Sequence, residues 1–149
     1  KMVLSLIKMT QLLVPGMGER KWGRVFMVGA SAVVEPIPNN VLSNMFRAAM
    51  AYYCKTLAGE VIKDGVTVNM VSPTTVLTGR TRSTAATFAE KKGITAQEEL
   101  AQRESRLPSG RFGKTREFGA MVAYLAGQDA AYCTGSNWRV DSGSVKSAI

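Results

Sequence analysis

Two short apolar segments, separated by a long amphipathic one, constrain the fold of this 149-residue chain more than any other feature. Residues 24–29 and 66–71 are rich in Val, Met and Phe, and each segment has the length of a buried strand. Between them, residues 41–63 place apolar side chains at helical spacing, and Asp64 with Gly65 predicts the end of that helix. Two strands joined by a helix favour a right-handed crossover and a parallel sheet.

The segments around this unit extend the alternation towards the start of the chain. Residues 2–14 carry a broad apolar face and predict a first helix. Pro15, Gly16 and the polar run that follows are expected to end that helix. Either Asn39 or Asn40 is expected to cap the long helix, because both precede its first apolar residue.

The second half of the chain predicts one loop, three helices and a last strand. Ser72 and Pro73 are expected to break the second strand, and the Thr-rich residues 74–82 predict a loop. Residues 83–106 predict two short helices that meet near Lys92 and Gly93, with a capping box at Thr95 and Glu98. Residues 117–126 predict a last helix and 137–140 a last strand.

These elements make an α/β chain with three parallel strands, which we treat as a single domain over residues 1–149. A parallel sheet is covered on both faces, and an unpaired edge invites pairing with another chain. A sheet of three parallel strands is therefore expected to be part of a larger one.

Composition excludes several classes of function. The chain has no histidine, which removes Ser-His-Asp triads and most zinc sites. Its two cysteines are expected to be core residues in a reducing cytoplasm. The net charge of +8 is spread evenly, with eight basic and four acidic residues in 1–75 and eleven and seven in the remainder, so no nucleic-acid partner is expected. No apolar run reaches the roughly 20 residues that cross a bilayer, so no membrane partner is expected either.

Four stretches together resemble the short-chain dehydrogenase/reductase family. They are Gly-Arg-Val at 23–25 leading to Ala30 and Ser31, the long helix with Gly-Val-Thr-Val-Asn at 65–69, Ser-Pro-Thr at 72–74 with Thr78, and Gly-Arg-Phe-Gly-Lys at 110–114 with Val-Asp-Ser-Gly at 140–143. The resemblance covers almost all of the chain. It implies a partial Rossmann-like, doubly wound parallel sheet that holds the last three strands of the family fold and their helices.

The resemblance also implies where the catalytic groups of an oxidoreductase are expected. The family uses a tyrosine as the proton donor, a lysine four residues later that lowers the pKa of the tyrosine, a serine and an asparagine. The matching motifs put Ser43 at the tyrosine position and Arg47 at the lysine position. Ala30 falls at the serine position with Ser31 beside it, and Met2 falls near the asparagine position. All four positions are thus expected to be substituted.

The resemblance implies NAD or NADP as the cofactor, although the signal for it is incomplete. The loop that contacts the nicotinamide end is expected at Pro73, Thr74, Thr75, Val76 and Thr78. The glycine-rich turn Gly-x-x-x-Gly-x-Gly, which holds the cofactor pyrophosphate, does not occur in the 149 residues.

Three functional hypotheses follow from the sequence. The first is an NAD(P)-linked oxidoreductase acting on a carbonyl or alcohol, with an altered site and inactive as this chain alone. The second is a non-catalytic binding or assembly subunit of the same fold. The third, a nucleic-acid binder, rests only on net charge. A homo-oligomer formed through the long helix and the exposed sheet edge is expected in the first two cases.

Overall fold

A computed structural model describes residues 2–148, without the side chain of Met2, and contains a three-stranded parallel sheet with helices on both faces. The strands are β1 (Gly23–Val28), β2 (Val66–Pro73) and β3 (Asn137–Val140), and they lie in the order β1-β2-β3. The helices are α1 (Met2–Glu19), α2 (Val41–Val61), α3 (Gly79–Lys92), α4 (Ala96–Ser105) and α5 (Thr115–Ala126). The α/β class and the parallel sheet expected from the sequence are confirmed.

The strand β2 is the centre of the molecule. It pairs in parallel with β1 from Gly23 opposite Val66, and with β3 from Met70 opposite Asn137. One apolar cluster, built around Met27, Met70 and Cys54, lies under α1 and α2. A second cluster, built around Val71 and Leu125, lies under α5 on the other face. Burial on both faces explains why the β2 sequence does not alternate between apolar and polar residues.

The first helix is longer than predicted, because Pro15 does not end it. The helix α1 continues to Glu19, and the chain turns at Lys21, which has a positive φ of 51°. A proline inside a helix removes one hydrogen bond to the carbonyl four residues earlier. Here that carbonyl belongs to Gln11, and both Gln11 and Pro15 are exposed, so water can take the place of the lost donor. Val3 and Leu6 pack on the first core cluster and hold the helix in place.

Two other boundaries also differ from the prediction. β2 continues through Ser72 and ends at Pro73. A proline at the last residue of a strand removes only one backbone donor from the sheet. The segment predicted as a loop over 74–82 is a loop only up to Thr78, where α3 begins. The hydroxyl of Thr78 accepts a hydrogen bond from the amide of Thr81, which caps the helix.

Local signals at the other helix ends have mixed outcomes. The capping box of Thr95 and Glu98 is confirmed. Asn40 occupies the N-cap position of α2, but its side chain makes no capping bond. The side chain of Asn44 instead bonds both the amide and the carbonyl of Ile37 and fixes the loop that leads into the helix. Both cysteines are free, and Cys54 is a buried core residue as expected.

We predict that Gly65→Ala destabilises the fold. Gly65 has a φ of 73°, and a Cβ at this position would overlap the carbonyl oxygen of Lys21. The free energy of unfolding should fall by about 1–3 kcal/mol, measured by chemical denaturation. Gly59→Ala is the matched control, because Gly59 lies in α2 with open space around it, and it should stabilise the fold by up to about 1 kcal/mol. A loss of stability in the control that equals the loss in G65A would contradict this account.

We also predict that a buried carboxylate makes the α3–α4 pair sensitive to acid. Glu99 is 3% exposed, and it bonds Lys92 and Arg103 at 2.7 Å each, which lowers the pKa of Glu99 below its ordinary value. A lowered carboxyl pKa stabilises the fold at neutral pH, and this contribution is lost as the pH falls towards the folded-state pKa. Glu99→Gln should therefore lower the melting temperature at neutral pH, and its difference from the wild type should shrink in acid, below the ordinary range of a glutamate pKa.

The exposed Glu90 of α3 offers the control for this experiment, because Glu90→Gln removes a carboxylate from the same helix pair and leaves both cation contacts of Glu99 in place. E90Q should melt like the wild type at both pH values. A difference between wild type and E99Q that is the same at both pH values would show that the ionised form of Glu99 is not responsible.

Candidate functional site

The candidate site lies where β1 and β2 end, at the carboxyl edge of the sheet. The chain leaves β1 through Gly29, whose amide donates to the carbonyl of Val71 at 2.9 Å. A Cβ on Gly29 would overlap Ser72 Oγ and the side chain of Met70, so only glycine allows the chain to pass this close to β2. The next residues, 30–38, therefore start directly beside the loop that follows β2.

Ala30 and Ser31 open the segment after β1. Ala30 is extended and precedes a 3-10 turn at Ser31–Val33. The carbonyl of Ser31 accepts hydrogen bonds from the amides of Val34 and Glu35, whereas its hydroxyl makes none within residues 2–148. That hydroxyl belongs to the lining of a cavity of about 450 Å³. At the serine position of the resemblance, Ala30 thus supplies a methyl group, and the nearest hydroxyl is on the following residue.

Ser43 and Arg47 lie one turn apart on α2. Arg47 Nε donates to Ser43 Oγ at 3.4 Å, and Arg47 Nη1 donates to the carbonyl of Val28 at 3.3 Å. The guanidinium therefore links α2 to the end of β1. A guanidinium has donors only and stays protonated, and an aliphatic hydroxyl is a far weaker acid than a phenol. This pair can hold an oxygen atom, but it lacks a group that exchanges a proton at neutral pH.

The two tyrosines that follow Arg47 on α2 make no hydrogen bond with Ser43 or Arg47 in the described chain. The hydroxyl of Tyr53 shares a hydrogen bond with Thr10 Oγ1 of α1, and Tyr52 is 79% exposed. Met2, which falls near the asparagine position, begins α1, but its side chain lies outside the described part of the chain.

The loop after β2 is held by its own backbone and side chains. Thr74 Oγ1 donates to the carbonyl of Asp141, and Val76 bridges to Gly113. The hydroxyl of Thr78 caps α3, so among the three threonines only Thr75 keeps a hydroxyl without a bond in the described chain. Pro73 ends β2 just before them. The five residues predicted to contact the cofactor thus form one ordered loop, and Thr74 and Thr75 share the 450 Å³ cavity with Ser31.

Several residues around the site were not predicted from the sequence. Glu35, Arg106 and Lys146 line the same cavity as Ser31. A second cavity of about 310 Å³ lies on the β3 side of the loop, and Arg111 and Glu117 contribute to its lining. Their ion pair lowers the pKa of Glu117 to about 2, with a further bond from the amide of Lys114. Arg111 belongs to the Gly-Arg-Phe-Gly-Lys stretch at 110–114, but no local pattern in the sequence assigns any of these residues to a cavity.

Two further reactive or charged groups, Cys54 and Asp141, have structural surroundings. Burial raises the pKa of the Cys54 thiol to about 11, which makes it a poor nucleophile. The carboxylate of Asp141 accepts the amides of Gly143 and Val145 and shapes the turn after β3. Within residues 2–148, no helix combines the length and apolarity needed to cross a membrane.

Comparison with known proteins identifies related chains. A family model described as enoyl-(acyl carrier protein) reductase matches residues 2–144. The chain is 35% identical over 136 residues to 2,3-dihydroxy-2,3-dihydro-p-cumate dehydrogenase of Pseudomonas putida, covering 91% of this chain and 49% of that protein. It is 32% identical over 141 residues to the 3-oxoacyl-[acyl-carrier-protein] reductase FabG of Escherichia coli, covering 93% and 52%.

Solved structures agree with the sequence matches. L-sorbose reductase from Gluconobacter frateurii, complexed with NADPH and L-sorbose, superimposes with a TM-score of 0.92 at 30% identity, covering 98% of this chain and 56% of that one. The NADPH-dependent reductase YwfH gives a TM-score of 0.89 at 26% identity, covering 97% and 56%. The chain spans about half the length of the curated relatives it matches. With the family model matched over nearly the whole chain and the fold shared with these reductases, the chain belongs to the short-chain dehydrogenase/reductase family.

Proposed function

We propose that this chain carries the substrate-side half of an NAD(P)-linked oxidoreductase acting on a carbonyl or alcohol, and that the 149 residues alone do not catalyse hydride transfer. Membership of the family supports the reaction class. YwfH is described as NADPH-dependent and L-sorbose reductase as complexed with NADPH, which supports the cofactor class. The observation that carries the second part of the proposal is the contact of Arg47 with Ser43, at the positions where the family resemblance implies a lysine and a tyrosine.

The residues present fit one end of the cofactor and not the other. When bound, the nicotinamide supplies or accepts a hydride. The loop of Thr74, Thr75, Val76 and Thr78 would hold the nicotinamide end, with the unbonded hydroxyl of Thr75 as the available polar group. A pyrophosphate needs a glycine-rich turn before a helix, and the sequence has no such turn.

The proton side of the reaction is also incomplete. Reduction of a carbonyl requires a proton at its oxygen, and a phenol with a pKa near about 10, lowered by a cation, can supply one. Ser43 is too weak an acid for this step, and Arg47 cannot release its proton. Ser31 can orient the substrate oxygen as a hydrogen-bond donor, but its hydroxyl, like that of Ser43, is too weak an acid to supply the proton. We therefore assign these residues to binding and orientation.

A second candidate function, a non-catalytic assembly subunit, is favoured by the exposed apolar surface. We define the helix surface as Leu4, Met9, Leu12 and Leu13 of α1 with Val41, Leu42 and Met45 of α2, all of which are more than half exposed. The outer edge of β1 has no strand partner within residues 2–148. Open strand edges commonly mark association sites, and exposed apolar side chains gain free energy when association removes them from water. We propose that copies of this chain associate through the helix surface and the open edge.

For the first proposal, we expect NADPH to bind the purified chain weakly or not at all, because the pyrophosphate site is missing. Calorimetric titration measures this directly, and an NADPH oxidation assay with carbonyl substrates should show no turnover. The L-sorbose reductase of Gluconobacter frateurii serves as a positive control under the same conditions. Micromolar binding of NADPH, or turnover above the uncatalysed rate, would overturn the proposal.

For the assembly proposal, we expect light scattering to give a mass of at least two chains. The double variant L12E/L42E should lower that mass, because it places charges on two side chains that are 80% and 66% exposed. Tyr132→Glu is the control, since Tyr132 is fully exposed and lies outside the helix surface. A monodisperse monomer at high concentration would contradict association, and equal loss of mass in the control would show that the helix surface is not responsible.

A further inference from the structure

The 450 Å³ cavity next to Ser31 has walls from four separate parts of the chain. They are the segment after β1, the loop after β2, the turn after α4 and the segment after β3. The residues that decide its chemistry are Ser31, Glu35, Thr74, Thr75, Arg106 and Lys146.

One wall of the cavity is fixed by Glu35. Its Oε1 accepts hydrogen bonds from the amides of Lys146 at 2.7 Å and Ser147 at 3.2 Å. Arg139 Nη1 donates to the carbonyl of Ser147 at 2.8 Å. The segment after β3 is thereby tied to the segment after β1, and the cavity between them is a built feature of the fold.

The charges on the lining do not cancel. Arg106 and Lys146 have no ion pair or side-chain hydrogen bond within residues 2–148. Two other arginines differ in this respect, because Arg103 forms an ion pair with Glu99 and Arg111 forms one with Glu117. Glu35 is the single carboxylate on the lining, and two backbone amides already bond it. The lining therefore carries one unbalanced positive charge.

Two hydroxyl groups on the lining are available as donors. The hydroxyls of Ser31 and Thr75 make no bond in the described chain, and each can donate to an oxygen atom. A ligand with an acceptor oxygen and one negative charge matches this combination. A carboxylate satisfies it, whereas a phosphate dianion exceeds the single unbalanced charge.

We propose that this cavity is the substrate subsite of the chain and that it takes a small oxo acid, with Arg106 and Lys146 facing the carboxylate and Ser31 donating to the ketone oxygen. The assignment of the ligand as a substrate rests on the function proposed above. The recognition of its charge does not, because binding needs neither the cofactor nor turnover.

The test compares two probes that share a ketone and differ in charge, acetoacetate and its neutral methyl ester. Each is titrated into the isotope-labelled chain without cofactor, and amide shifts are followed by NMR. Acetoacetate should give saturable shifts at Ser31, Thr75 and Lys146, with an affinity roughly tenfold above that of the ester, since exposed ion pairs contribute a few-fold each.

Charge-neutralising variants locate the effect. Arg106→Gln and Lys146→Gln should each weaken acetoacetate binding roughly threefold and leave the ester unchanged. The controls are Arg20→Gln and Lys63→Gln, which remove exposed cations just before β1 and β2, at the opposite edge of the sheet. Both controls should bind like the wild type.

Three outcomes overturn the inference: no saturable shift at the cavity residues with acetoacetate, equal affinities for acid and ester, or equal losses in the controls. None of them bears on hydride transfer, which the NADPH assay tests separately. Conversely, selective binding of acetoacetate in a chain that fails to bind NADPH supports the charge recognition while leaving the cofactor proposal to its own experiment.

Discussion

The structure depends on the buried side chains of β2, and on Asn69 above all. Asn69 is fully buried in the middle of the strand, and both the NH2 group and the oxygen of its side-chain amide are hydrogen-bonded. Its Nδ2 donates to the carbonyl of Cys133 at 2.7 Å, and its Oδ1 accepts from Trp138 Nε1 at 3.0 Å. Ser72 adds a bond to Asn137 at 2.6 Å. A buried polar group is stabilising only when it is bonded, so these contacts fix β3 in one register against β2.

The register of β3 against β2 determines which segments meet at the candidate site. With β3 fixed, the segment that follows it reaches Glu35, and Asp141 reaches Thr74 across the carboxyl edge. The close approach at Gly29 brings the segment after β1 to the same edge. The cavity is thus a consequence of strand order and register, because no two of its walls are neighbours in sequence. Ligands of open α/β sheets bind at this edge for the same reason.

Sequence patterns predicted the elements that depend on local signals. Strands β1 and β2, the long helix and the capping box at Thr95 all follow from periodicity and local bonding. Pro15 was misjudged because its cost depends on whether Gln11 is exposed, which the sequence does not state. The start of α3 was not predicted, because a threonine such as Thr78 is favoured both in turns and at helix N-caps. Arg106 and Lys146 were not predicted to belong to the site. They are 40 positions apart in the sequence, and only the tertiary fold brings both to one cavity.

We propose that this chain contains the nicotinamide and substrate end of the family site and lacks the pyrophosphate end. The most direct measurement compares reduced nicotinamide mononucleotide with ADP-ribose, which carry the two ends of the cofactor separately. Each is titrated into the labelled chain and followed by amide shifts. We expect saturable shifts at residues 74–78 with the mononucleotide and none with ADP-ribose. Binding of ADP-ribose as tight as that of the mononucleotide would contradict it, because the chain would then hold a pyrophosphate site of another kind.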